Sequence, residues 1–176
     1  MDMKSPAGLS ESEEEALADL FEGARRGGYI VGRPVSLLKR PIRPDLRWED
    51  ASPGLMFPPL EYRVRRGAVE RFRRLVSRVL PDSSFVEEDL VPPSMFADEP
   101  MNCVATLFGR SGRLHVGHRM EILRPIPVGS LVRSRGRIAE RFERSGRHFV
   151  EVDCTVYIVE GDEEIPAIKV SATLLP

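Results

Sequence analysis

The chain has 176 residues, 41% of them hydrophobic and 30% charged, the balance of a soluble globular protein with one proper core. Lys plus Arg number 26 and Asp plus Glu 27, so the net charge of −1 gives no general attraction to nucleic acid or acidic membranes. No apolar run approaches the roughly 20 residues that span a bilayer, and the acidic "MDMKSPAGLSESEEE" reads as neither a secretory signal nor a transit peptide, so a cytoplasmic location is expected.

Residues 1–9 read as a tail, and Ser10 opens a helix. Ser10 with Glu13, and Ser12 with Glu15, have capping-box spacing. Leu17, Leu20, Phe21 and Ala24 recur at helical intervals, and Gly27-Gly28 stops the run. Between residues 29 and 60, Pro34, Pro41, Pro44, Pro53, Pro58 and Pro59 exclude a long helix and a central strand. "YIVGRPVSLLK" has room for a short extended piece, and Trp48, Leu55, Met56 and Phe57 suit packing against a body.

"EYRV" (61–64) reads as a short strand. In "RRGAVERFRRLVSRVLP" the residues Ala68, Val69, Phe72, Leu75, Val76, Val79 and Leu80 fill one helical face, and Pro81 ends it. The other face is basic, with Arg65, Arg66, Arg71, Arg73, Arg74 and Arg78. It reads either as a solvated face balanced by the acidic N-terminal helix or as a landing surface for phosphates. Val91-Pro92-Pro93 is a rigid extended approach to the next helix. Asp98 or Glu99 caps that helix, with Pro100 in its first turn and Gly109 at its end. Met101, Cys103, Val104, Ala105, Leu107 and Phe108 make it apolar over most of its circumference, as burial against a sheet requires.

From residue 113 the period changes to two. Val150, Val152, Cys154, Val156 and Ile158 share one face, and Ile168, Val170, Ala172 and Leu174 share another. Arg133, Arg135 and Arg137 fall together on one strand face. Ser145-Gly146 and Gly161-Asp162 are hairpin signals. The C-terminal half is an antiparallel meander of about four strands, and the class is α+β.

In "LHVGHRMEILRPIPVGS" (114–130), His115 and His118 stand three apart. On a regular strand that spacing puts them on opposite faces, although a bulge at Gly117 would realign them. A zinc site also wants a third ligand, and no Cys/His cluster supplies one. Cys103 and Cys154 carry no CxxC spacing and read as reduced, buried small hydrophobes. No nucleophile elbow, Walker loop, dinucleotide fingerprint or helix-turn-helix pattern is present.

From about residue 60 to 176 the order of parts resembles the MaoC-like dehydratase family of hotdog folds, its N-terminal-type domains in particular. "YRVRRGAVERFRRLVSRVLPD" is similar to that family's strand and early helix, and "VPPSMF" to its proline-rich approach to the central helix. "LHVGHRMEILRPIPVGSLV" looks like its strand opened by a His and closed by Arg-Pro and Gly. "ERFERSGRHFVEVDCTVYIVEGDEEIPAIKVSATLL" looks like its closing hairpins. The resemblance implies a hotdog domain over 61–176, with an antiparallel sheet wrapped around a central helix. Residues 1–60 would be an extension carrying the extra N-terminal helix.

It also implies an acyl thioester of coenzyme A or acyl carrier protein as ligand, in a tunnel at a subunit interface. No cofactor or metal is needed for hydration of a trans-2-enoyl thioester or its reverse. The family's catalytic Asp, followed by Asn-Pro and then a His five positions on, has its nearest match at Asp82 and Glu87. Asn, Pro and His are missing, and Asp82 after Pro81 also reads as a plain turn. His118 is the third catalytic candidate, and His115 and Arg124 are candidates for substrate contact, Arg124 mainly as a strand-end residue. Three functions follow. The first is a hydratase or dehydratase subunit, pairing as a homodimer or with a dyad-bearing hotdog chain. The second is a hotdog thioesterase using Glu99 or Asp98. The third is a non-enzymatic acyl-CoA binder using the basic helix face.

Overall fold

The alternation read between residues 113 and 176 becomes four strands in the computed structural model, which describes residues 29–30, 33–34, 44–79, 89–109 and 114–176. In chain order the elements are β1 (Tyr29–Ile30), β2 (Arg33–Pro34), β3 (Leu60–Arg63), α1 (Arg66–Val79), α2 (Glu99–Val104), β4 (Leu114–Ile122), β5 (Leu131–Arg144), β6 (Arg147–Glu160) and β7 (Glu163–Leu175). The first two pair as a small ribbon. The other five form one antiparallel sheet in the order β3-β5-β6-β7-β4. The expected N-terminal helix, Asp82 and Glu87 lie outside the described residues.

Both hairpin signals hold. Ser145 and Gly146, at φ 52° and 70°, join β5 to β6, and Gly161, at φ 60°, opens the turn into β7. Such primed turns match the twist of the strands they connect. Every apolar residue expected inward on β6 and β7 is buried: Val150, Val152, Cys154, Val156, Ile158, Ile168, Val170, Ala172 and Leu174. Burial of these side chains is the main source of the sheet's stability, at about 1.5–3 kcal/mol for each large one. Arg133 and Arg135, on the opposite face, both donate to Glu164, and Arg133 also bonds Glu61.

Helix α1 forms where its 3.6-residue pattern predicts. Val69 is buried and Phe72 packs beside it. Its basic face does more than meet water. Arg66 pairs with Asp89 at 2.7 Å, and Arg73 donates to the Leu90 carbonyl at 2.6 Å. These bonds tie α1 to the segment that leads into α2. That segment is anchored by a bond from Val91 N–H to the Ile126 carbonyl (2.8 Å), and Met95 and Phe96 are buried in it.

The central helix is shorter than its apolar run suggests. The α-helical part of α2 covers six residues, Glu99–Val104. Past it the Thr106 hydroxyl and the Thr106 N–H both bond the Cys103 carbonyl, at 2.7 and 2.9 Å, and Leu107 N–H turns back to Val104. A threonine hydroxyl competing for a helix carbonyl tightens the last turn in this way. The turns reach Gly109, whose N–H bonds the Pro44 carbonyl at 2.8 Å. Asp98 is the N-cap, but its side chain makes no capping bond.

The proline-rich stretch 44–59 packs as its aromatics require. Gly54 N–H donates to the Ile138 carbonyl, Ile138 N–H to the Leu55 carbonyl and Phe57 N–H to the Gly136 carbonyl, which lays residues 54–57 along β5. Trp48 stacks on His148 with ring centroids 4.2 Å apart, and the Arg141 guanidinium lies 4.5 Å over the same indole.

Candidate functional site

The sheet curves about α2, and the two histidines lie where its concave face reaches the open edge at β4. Regular alternation would have split them. Instead the pairing with β7 slips by one residue between His115 and Gly117, a bulge at Val116. His115 then stands opposite Leu174 and His118 opposite Ala172, both inward-facing residues of β7. The expectation of opposite faces is thus corrected: two residues on β4 oppose one on β7, and parity is reset. The two rings meet edge to face with centroids 5.6 Å apart. Gly117 is required at the bulge, because a Cβ there would sit 2.9 Å from the Thr173 hydroxyl.

His118 reaches α2. Its Nε2 lies 3.2 Å from the carbonyl of Ala97, in the turn just before the helix. A carbonyl only accepts, so Nε2 carries the proton, and in the neutral ring Nδ1 is the acceptor. The Asp98 carbonyl, one residue on, accepts the backbone and side-chain N–H groups of Asn102. Arg124 follows the end of β4. Its backbone N–H bonds the Ala167 carbonyl at 3.1 Å and its side chain is exposed, which fits a strand-end role.

The carboxylate candidates on α2 divide. Asp98 is exposed. Glu99 is 0% exposed and accepts a hydrogen bond from the Tyr62 hydroxyl on β3. A buried carboxylate is costly unless a donor meets it, and Tyr62 is that donor. A carboxylate sealed from solvent leaves no position for an attacking water, which disfavours Glu99 as a hydrolytic base in this chain. From sequence Asp98 and Glu99 are equal candidates for the cap and for a thioesterase acid; what separates them is Tyr62, 37 residues from Glu99.

A groove of about 510 Å3 lies on the outer face of the sheet, among Arg119, Arg135, Arg137, Asp153, Tyr157 and Lys169. Its charges are largely paired, Arg137 with Asp153 at 3.5 Å and Lys169 with Glu121 at 3.4 Å. Polar and open, it does not suit an acyl chain. Among the described residues, no helix is long and apolar enough to cross a membrane.

No protein-family model and no curated protein matches the sequence. Solved structures do match. (R)-hydratase PhaJ1 from Pseudomonas aeruginosa superposes with a TM-score of 0.56 at 11% identity, over 74% of this chain and 85% of that one. The HadBC (3R-hydroxyacyl-ACP dehydratase) complex from Mycobacterium tuberculosis gives 0.56 at 18%, over 70% and 96%. Protein af1124 from Archaeoglobus fulgidus gives 0.57 at 16%, over 94% and 99%. The antiparallel sheet wrapped about a central helix is the hotdog fold, as these neighbours share it.

Proposed function

We propose that this chain is one subunit of a hotdog assembly that hydrates a trans-2-enoyl thioester of coenzyme A or acyl carrier protein, or dehydrates the 3-hydroxy product. The observation that carries the reading is the open edge at β4. Among the described residues this strand has one neighbour, β7, and Leu114, Val116, Ile122 and Leu123 are 40–60% exposed on it or just beyond it. A long apolar edge strand is a template for a second chain. Pairing there would cover His115 and His118 and close a cleft between α2 and the partner.

Hydration adds water across the double bond: a base takes a proton from water, the oxygen bonds C3, and C2 is protonated. This chain has Glu87 where the resemblance calls for the dyad histidine, so we assign the dyad to the partner. His118, with Nε2–H held by Ala97 and Nδ1 available as an acceptor, lines the acyl side of the cleft with His115. Arg124 closes the strand that carries them. PhaJ1 is named as a hydratase and HadBC as a two-chain dehydratase complex, and both support the substrate class.

The test is the purified lone chain with trans-2-enoyl-CoA. Little or no loss of the enoyl chromophore is expected until a dyad-bearing hotdog chain is added. Robust turnover by the lone chain would overturn the division of labour. Release of free thiol with the double bond intact would replace hydration by thioester cleavage.

A further inference from the structure

We propose that Glu99, Cys103 and Cys154 form a buried binding site for one thiophilic divalent cation, zinc in particular. One ligand atom from each residue lies within 4.8 Å of the other two, and all three side chains are at most 2% exposed. The sulfurs of Cys103 and Cys154 are 3.7 Å apart. Two sulfurs each about 2.3 Å from one zinc, at the tetrahedral angle, stand about 3.7–3.8 Å apart. Two thiols in simple packing contact would stand no differently. The carboxylate is what distinguishes the cluster: a carboxylate oxygen stands with both sulfurs inside 4.8 Å, and chelating through both oxygens it would supply, with the two thiolates, the four donors a structural zinc takes.

The elements converge on this point from far apart in sequence. Glu99 and Cys103 are four apart on α2, one helical turn, and so share a face. Cys154 comes from β6, with Gly136 as its register partner on β5. A Cβ at Gly136 would sit 2.6 Å from Cys103 Cβ and 2.8 Å from its sulfur. The missing side chain there seats Cys103 beside Cys154. Tyr62 bonds Glu99 Oε1, and the other oxygen, Oε2, is shut away from solvent.

With both thiols ionised, the ion balances two of the three negative charges, and the Tyr62 hydroxyl disperses the third. The tyrosine acts as the outer support that orients a ligating group. Because the site is sealed, the cation enters as the chain folds, and binding strengthens as pH rises because the thiols must lose protons. The site is independent of the proposed reaction.

The experiment uses the full chain, stripped with a chelator and refolded anaerobically with cobalt(II) or zinc(II). A thiolate-to-cobalt charge-transfer band saturating at one ion per chain is expected, and zinc should displace it. Zinc should also slow alkylation of both thiols at the urea midpoint, where the sealed site opens, and raise Tm. C154S should abolish the band, E99Q should weaken binding at least tenfold, and H118A should leave it unchanged. The proposal is overturned by a wild-type chain that gives no band, by a band that survives C154S or vanishes in H118A, or by thiols that close to a disulfide under mild oxidant and stay unshielded by zinc. The wild-type shielding measurement decides the matter even if a variant does not fold.

Discussion

The two edges of the sheet are built on opposite plans. At the β5 edge, β3 is four residues long, and residues 54–57 continue along β5. Its outward Glu61 is held by Arg133, so charge and shortness blunt the edge. At the β7 edge, β4 runs nine residues, and Leu114, Val116 and Ile122 on it are exposed. One edge is finished within the chain, and the other is composed like an interior surface that has no interior yet. The chain's own contacts explain the first edge. The proposed partner surface would account for the second.

Cross-strand neighbours give the strongest way to break this contrast. Ile122 and Ile168 are register partners, and Ile168 is 1% exposed. Ile168→Ala should cost the isolated chain about 2–5 kcal/mol by chemical denaturation. Ile122→Ala should cost it less than about 0.5 kcal/mol. Equal losses would mean that β4 is already part of the core. The assembly gives the next test. Ile122→Lys should weaken association roughly thirtyfold or more, the scale of a central interface residue, with stability of the lone chain unchanged. Light scattering over a dilution series reads this, and an unaltered mass would remove β4 from the interface.

The bulge is a smaller lever. Gly117→Ala forces a Cβ against Thr173 and should cost about 1 kcal/mol. The His115 and His118 ring signals should shift in NMR as their edge-to-face contact is lost. The smallest effect belongs to the blunted side. The Arg135 guanidinium, and then that of Arg133, hold the Glu164 carboxyl down to about 2 from 4.5. A depressed carboxylate stabilises the fold above the unfolded value and loses that contribution as pH falls through the folded one. Wild type should therefore exceed Glu164→Gln slightly at neutral pH, with the gap closing between pH 4.5 and about 2 and shrinking in salt. A gap unchanged by acid would mean that the ion pair contributes nothing.

What the sequence made legible follows from which forces are local. Alternation located β5 to β7, the Gly turns fixed their hairpins, and the apolar stripe from Val69 located α1. A bulge was readable only as an option, and at Gly117 where the structure has it at Val116, since a two-against-one register depends on where β7 lies. Glu99 looked no different from Asp98 because nothing near it in sequence announces Tyr62. The contact of Cys103 with Cys154 spans 51 residues and has no motif. The shortening of α2 turns on one hydroxyl, Thr106, inside an otherwise helical pattern.

The stack of His148, Trp48 and Arg141 gives the molecule a built-in optical gauge. Trp48 is the only tryptophan of the chain, so all indole emission comes from one place, where residues 44–59 clasp the β5–β6 hairpin. Its signal follows release of that clasp, while circular dichroism follows the whole sheet. Coincident urea curves from the two would make the clasp part of one cooperative transition. An earlier indole transition would reveal a segment that lets go while the sheet stays intact.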